Sequence, residues 1–201
     1  MEIKKGNIIK AYMAGDDNAK EMLRAMFPDI DFEAEKQTEK RPITERVKTF
    51  EDACKELGTN HPLVLQYEFN YNAEGGWNDN ADTRDFSAYL KLRIITAALN
   101  EGWEPQFMEN EWRWYPWHFL WTAEELADKD EEWKCSHALI DTGDYQQEGY
   151  AGFAYANSFN YSSHSDATFG SRLCLKDEAL ADYCGKQFIE LWADFKLIRR
   201  K

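Results

Sequence analysis

Apolar positions in the first thirty residues recur at helical spacing: Ile8, Ile9, Tyr12 and Met13, then Ala19, Met22, Leu23 and Met26. This spacing predicts two short helices. Gly15-Asp16-Asp17 divides them, with Asp17 as the cap of the second. Phe27-Pro28-Asp29 ends that helix, because the residue before proline is driven out of the helical region. Residues 31–48 carry almost no large apolar side chain before Ile43 and read as a charged, exposed connector. A further helix is expected from Thr49, which caps it with Asp52 three residues on, to the stop at Gly58, with Phe50, Cys54 and Leu57 along one side. Residues 70–82 are turn-rich and predict a surface loop. Phe86, Tyr89, Leu90, Ile94, Ala97 and Ala98 then mark the inner face of a central helix. Asp82 would cap it, Asp85 sits in its first turn, and Asn100-Glu101-Gly102 ends it.

The pattern changes in the second half. Trp112, Trp114, Tyr115, Trp117, Phe119 and Trp121 crowd one short stretch, a composition suited to strands. Pro116 cannot donate to a ladder, so it marks an edge or a bulge between two short strands. Residues 122–134 are polar and read as a short helix or an inserted loop. From Gly149 to Ala156 large residues alternate with small ones, as in a strand closely packed on its small-residue face. Residues 157–168 read as a polar loop and 170–176 as a last short strand. A final helix is expected from the cap Asp177, burying Leu180, Cys184, Phe188, Leu191 and Phe195, with a basic end that complements its dipole. Helices flanking a late group of short strands, without βαβ alternation, predict the α+β class. The expected architecture is a small antiparallel sheet of aromatic-rich strands packed against helices, with a helical N-terminal segment and a long C-terminal helix. Residues 1–48 form that segment and its connector, and residues 49–201 a single α+β domain.

Composition narrows what such a fold could do. The chain has 201 residues, 43% hydrophobic, with 12 Phe, 10 Tyr and 8 Trp, too aromatic for a disordered protein. Its formal net charge of −13 is uneven. Residues 1–48 balance ten acids with ten bases, whereas residues 49–170 hold 22 acids against seven bases. A solvated acidic surface accounts for this, and so would an acidic face that imitates nucleic-acid phosphates. General nucleic-acid binding is excluded, since it needs a basic face. No apolar run approaches the roughly 18 residues of a membrane span, and the first residues lack a secretory apolar stretch. Cys54, Cys135, Cys174 and Cys184 are too scattered for a disulfide framework and suggest thiols in a reducing cytoplasm.

The motifs that resemble catalytic or metal sites are all incomplete. Cys135 and His137 are two ligands where a zinc site needs four. Asn78, Asn80 and Asp82 start like a calcium loop, but Thr83 and Tyr89 stand where it needs Gly and Glu. Glu74-Gly75-Gly76-Trp77 lacks the Lys-Ser/Thr of a phosphate loop. Ser162, Ser163, His164, Ser165 and Asp166 hold the residue types of a hydrolase triad, but triad members arrive from separate elements. We expect no catalytic residue, no metal and no cofactor, and read the chain as non-enzymatic.

The aromatic run remains. Its simplest role is packing beneath helices. Alternation sends Trp112 and Trp114 to one face and Arg113, Tyr115 and Trp117 to the other, so both faces are aromatic. One of them, incompletely covered, could stack a base, a sugar ring or a partner's side chains beside Arg113 or Arg172. The candidate binding residues are therefore Arg113, Tyr115, Trp117 and Arg172.

The segments ITERVKTFEDACKELG, LNEGWEP, RWYPWHF and FGSRLCLKDEALADYCGKQFIELWADF, spread over residues 43–198, resemble a group of uncharacterised proteins carried by phages and mobile elements of Bacteroidetes gut bacteria. The resemblance assigns no functional residue. It implies a phage or mobile-element product, acting in the bacterial cytoplasm or packaged in a virion. Three roles are compatible with these readings. The favoured one is an accessory protein binding a partner protein or small ligand through its aromatic sheet. The others are a virion component, for which self-assembly into a homo-oligomer is expected, and an acidic decoy of a host DNA-binding protein.

Overall fold

Aromatic strands and helices of mixed polarity can bury their apolar sides only against one another, and the computed structural model shows how they do so. It describes residues 5–33, 41–72, 83–106, 111–161 and 171–200. The chain divides into two compact units, Met1–Arg46 and Val47–Lys201. Among the described residues no helix is long and apolar enough to cross a membrane.

The first unit holds α1 (Lys5–Ala14), α2 (Asp17–Met26) and the single turn α3 (Ile43–Arg46). Ile8, Tyr12 and Phe32 form its small core, with Met13, Leu23, Phe27 and Ile30 packed on them. The cap of α2 is Asp16 rather than Asp17: its carboxylate accepts from the Ala19 N–H at 2.9 Å, leaving Asp17 in the first turn.

The second unit opens with α4 (Phe50–Leu57) and α5 (Pro62–Asn72), followed by the central helix α6 (Arg84–Leu99). Thr49 and Asp52 form a reciprocal capping box on α4, and Gly58, at φ 86°, ends it. α5 carries into residues 70–72, where the turn-rich composition predicted a loop; residues 73–82, including the expected cap Asp82, lie outside the described residues. α6 packs against α4 and α5 as well as a C-terminal helix. It therefore buries Ala88, Leu90, Leu92, Ile94, Ile95, Thr96, Ala98 and Leu99 around most of its circumference, while Phe86 is exposed. A helix between two layers has no single apolar stripe, which is why its inner face was misread near its start. At its end the Asn100 side chain donates to the Cys174 carbonyl at 2.9 Å and accepts from the Lys176 N–H at 3.0 Å.

The sheet is antiparallel with order β1-β3-β2, from β1 (Arg113–Trp121), β2 (Ile140–Asp141) and β3 (Gly152–Tyr161). β1 is one strand rather than two, running straight through Pro116. Trp114 exchanges both backbone hydrogen bonds with Leu175, away from β3, so its N–H and C=O point to the open edge. Two residues on, position 116 points the same way, and its missing N–H costs the β1–β3 ladder nothing. The register shifts where Trp117 opposes Asn157 but His118 opposes Tyr155, leaving Ala156 of β3 unpaired. β3 itself takes in residues 157–161, predicted as loop, and the rest of that loop lies outside the described residues. Among the described residues of the last predicted strand only Leu175 pairs, as a single bridge, after a one-turn 3-10 helix at Ser171–Leu173.

Between β1 and β3 the chain forms α7 (Ala123–Ala127) and α8 (Glu131–Ser136), and it ends in α9 (Glu178–Gln187) and α10 (Ile189–Lys196). Asp177 caps α9 as expected, its carboxylate accepting from the Leu180 N–H at 2.9 Å. The long C-terminal helix is broken at Phe188, where φ is −114° and ψ 32°. The break turns Trp192 and Ala193 inward and leaves Leu191 and Phe195 half-buried. α9 lies very close on the sheet. A Cβ on Gly185 would stand 2.6 Å from the Pro116 Cβ and 2.7 Å from the Tyr155 ring, so only glycine fits this crossing.

Candidate binding face of the sheet

Side chains alternate along β1, and the two faces part company. Pro116 and His118 point beneath α9 and α10, the inner face, where His118 stacks on Phe153 at 4.9 Å and lies 5.6 Å from the Trp192 ring. The outer face carries Arg113, Tyr115, Trp117, Phe119 and Trp121. Opposite them on β3 are Phe159, Asn157, Ala154 and Gly152.

This face is covered at both ends and open in the middle. At one end a Cβ on Gly152 would stand 2.7 Å from Leu139 and 2.8 Å from Leu126, which is the close packing that the large-small alternation predicts. Thr122 and Glu125 form a capping box on α7, and Asp130 caps α8. These caps hold Trp133 edge-on to Trp121, with ring centroids 5.0 Å apart. At the other end Arg113 and Tyr115 are fully buried. Burial pushes the neighbouring Cys174 thiol up to about 11, partly opposed by the Arg113 guanidinium and by a hydrogen bond from the Tyr115 hydroxyl. Between the ends Trp117 is 37% exposed and Phe119 49% exposed. Trp117 meets Phe159 at 5.1 Å and Phe119 at 6.3 Å, and Phe119 meets Trp121 at 6.4 Å, all close to perpendicular. The result is a continuous edge-to-face aromatic ladder that presents both ring faces and ring edges to solvent.

The four sequence-predicted residues are thus divided. Trp117 is on the open surface. Arg113 and Tyr115 share its face but are interior, because the Cys174–Leu175 segment bonded to the β1 edge closes over that end. Arg172 is exposed on the 3-10 turn, and among the described residues no hydrogen bond, ion pair or ring contact ties it to Trp117. Phe119, Trp133 and Lys129 belong to the surface and were not singled out. Phe119 follows from the same alternation that selected Trp117, whereas Trp133 reaches the sheet only through α8.

Two other groupings concern chemistry. The Gly185 carbonyl can only accept, so the His118 Nε2 at 3.0 Å carries the proton and Nδ1 accepts from the Lys196 Nζ at 2.8 Å. Burial holds both groups toward their neutral forms, His118 lowered to about 3 and Lys196 to about 7. Separately, a cleft of about 510 Å3 is bordered by Arg84, Lys91, Tyr145, Glu190, Asp194 and Arg199. Its carboxylate Asp194 accepts from the Arg199 Nε and the Tyr145 hydroxyl, both at 2.9 Å, and lies 3.6 Å from Arg84. Arg84, Asp194 and Arg199 are spent on one another, and Arg199 lies over the Tyr145 ring at 5.3 Å. All four cysteines are free thiols, and among the described residues no three His, Cys, Asp or Glu side chains gather as a metal site would require. No protein-family model matches the chain, and comparison with curated proteins and with solved structures yields no match.

Proposed function

We propose that this chain is a non-enzymatic accessory protein that binds a partner through the outer face of its sheet, in the phage or mobile-element setting that the sequence resemblance implies. The observation that carries this reading is the ladder of Trp117 and Phe119, exposed in the middle of a sheet whose opposite face is packed beneath two helices. A tryptophan at the centre of an uncovered face buries a large area on contact and loses little entropy, which is why such residues anchor interfaces. The contact runs through the face rather than the strand edge, because Pro116 blunts the edge against strand addition. A peptide-display selection against the protein tests this. Enriched peptides should compete with one another and bind the Trp117→Ala/Phe119→Ser double variant at least about tenfold more weakly, the loss typical of one or two hot-spot residues. No enrichment, or peptides that bind the double variant equally well, would overturn it.

A further inference from the structure

The aromatic ladder ends in a corner that already holds a cation. Trp121 closes β1, Trp133 stands on α8 with its ring 76° to that of Trp121, and the Lys129 Nζ lies 5.2 Å from one ring centroid and 5.1 Å from the other. The corner is rigid. Trp133 is backed by His137, stacked at 4.2 Å, and the His137 carbonyl accepts from the Tyr155 N–H of β3 at 2.9 Å. Lys129, by contrast, arrives from the three-residue turn between α7 and α8 on a flexible side chain. The surroundings select for positive charge: Glu124, Asp128 and Glu132 are exposed about the turn, and the chain as a whole carries −13.

We propose that the Trp121–Trp133 corner is a cation subsite of the outer face, occupied by Lys129 in the free protein and by a basic side chain of an extended partner segment in the complex. This rests on the outer face being the binding surface and specifies its partner's chemistry. An ammonium held on aromatic faces at a solvent-exposed site is stabilised by only about 0.5–1 kcal/mol, so a partner that also stacks on the neighbouring rings displaces it readily. The ring-to-ring steps of 6.3 and 6.4 Å from Trp117 through Phe119 to Trp121 match the repeat of alternate residues in an extended chain, about 6.6 Å. Arginines at every second position would therefore set one planar guanidinium over each step, the arrangement in which arginine stacks best on aromatic rings.

The test is titration calorimetry with the capped peptide Gly-Arg-Gly-Arg-Gly-Arg-Gly, its glutamate counterpart and an oligothymidylate, on the full chain and four variants. The arginine peptide should bind and the glutamate peptide should not. Lys129→Ala, by vacating the corner, should tighten the arginine peptide about two- to fivefold. Lys134→Ala removes the same charge from a lysine that pairs with Glu131 instead, at 2.7 Å, and should change affinity less. Trp133→Leu should weaken binding, and so should Trp117→Ala. If Trp117→Ala weakens binding while Lys129→Ala and Trp133→Leu leave it unchanged, the cation subsite is wrong and the binding face stands. An equal gain from Lys129→Ala and Lys134→Ala would reduce the effect to bulk charge and also overturn the subsite. Binding that ignores Trp117, or no binding of the arginine peptide at all, would sink both ideas, and tighter binding of the oligothymidylate would replace the basic peptide with a polynucleotide.

Discussion

The two faces of β1 are built from the same kind of residue and do opposite things. On the inner face His118 is stacked on Phe153, bonded to the Gly185 carbonyl and reached by Lys196, so an aromatic ring with two polar atoms is wholly absorbed by the interior. One residue away on either side, Trp117 and Phe119 are larger and more apolar, yet they remain half in solvent. Burial in this sheet is thus not a matter of side-chain hydrophobicity. It is decided by which face α9 and α10 occupy, and that was decided in turn by glycine at the crossing point, where Gly185 lets the helix backbone approach Pro116 and Tyr155. The difference also marks the outer face as available: covering two large rings would be favourable by about 25 cal/mol per Å2 of apolar surface removed from water, and none of the described helices does so.

The comparison breaks most easily on the inner side. Trp192 is fully buried against His118, with its indole N–H donating to the Cys184 carbonyl at 3.2 Å. Trp192→Ala should cost about 3–5 kcal/mol in denaturant unfolding, and a loss below about 1 kcal/mol would remove that ring from the core. A smaller effect is expected from pH. Lys196 is lowered to about 7 when folded and titrates near 10.4 when unfolded, so above pH 7 the unfolded chain binds more protons and stability rises with pH, by at most about 1.4 kcal/mol per pH unit. The clean window is pH 7 to 8, before Cys54, Cys174 and Cys184, whose thiols titrate near 8.5 when unfolded and are raised in the fold, reverse the trend. On the acid side His118, lowered to about 3, contributes stability that is present above pH 6.5 and is lost as pH falls toward 3. Lys196→Met should abolish the rise between pH 7 and 8; a slope that persists would assign it to other groups. Smallest of all, Trp117→Ala on the outer face should change stability by less than about 1 kcal/mol while weakening binding. A loss as large as that of Trp192→Ala would return the outer face to the core and end its candidacy as a site.

Much of the local structure was legible because it depends on neighbours in sequence. The capping box at Thr49, the stop at Gly58 and the cap at Asp177 each follow from residues a few places apart, whereas Pro116 left an edge and a bulge open until the sheet order decided for the edge. The parity of β1 was legible too, since alternation places Arg113, Tyr115 and Trp117 together. Three readings differ from the structure. Phe86 looked like core and is exposed, Arg113 and Tyr115 looked accessible and are buried, and the C-terminal helix looked continuous and breaks at Phe188. The residues around Cys174 close over Arg113 and Tyr115, and a helix break at Phe188 aims Trp192 at the sheet.

The amino-acid sequence by itself determined the class of fold, the helix boundaries set by caps and glycines, and the division of the aromatic run into two faces, because propensity, capping and strand alternation act over a handful of bonds. Only the tertiary structure decided which face is buried, that His118 at position 118 meets Lys196 seventy-eight residues later, and that Lys129 and Trp133 complete the ladder. Those outcomes depend on where α8, α9 and α10 pack, and no local pattern records the packing of elements brought together across half the chain.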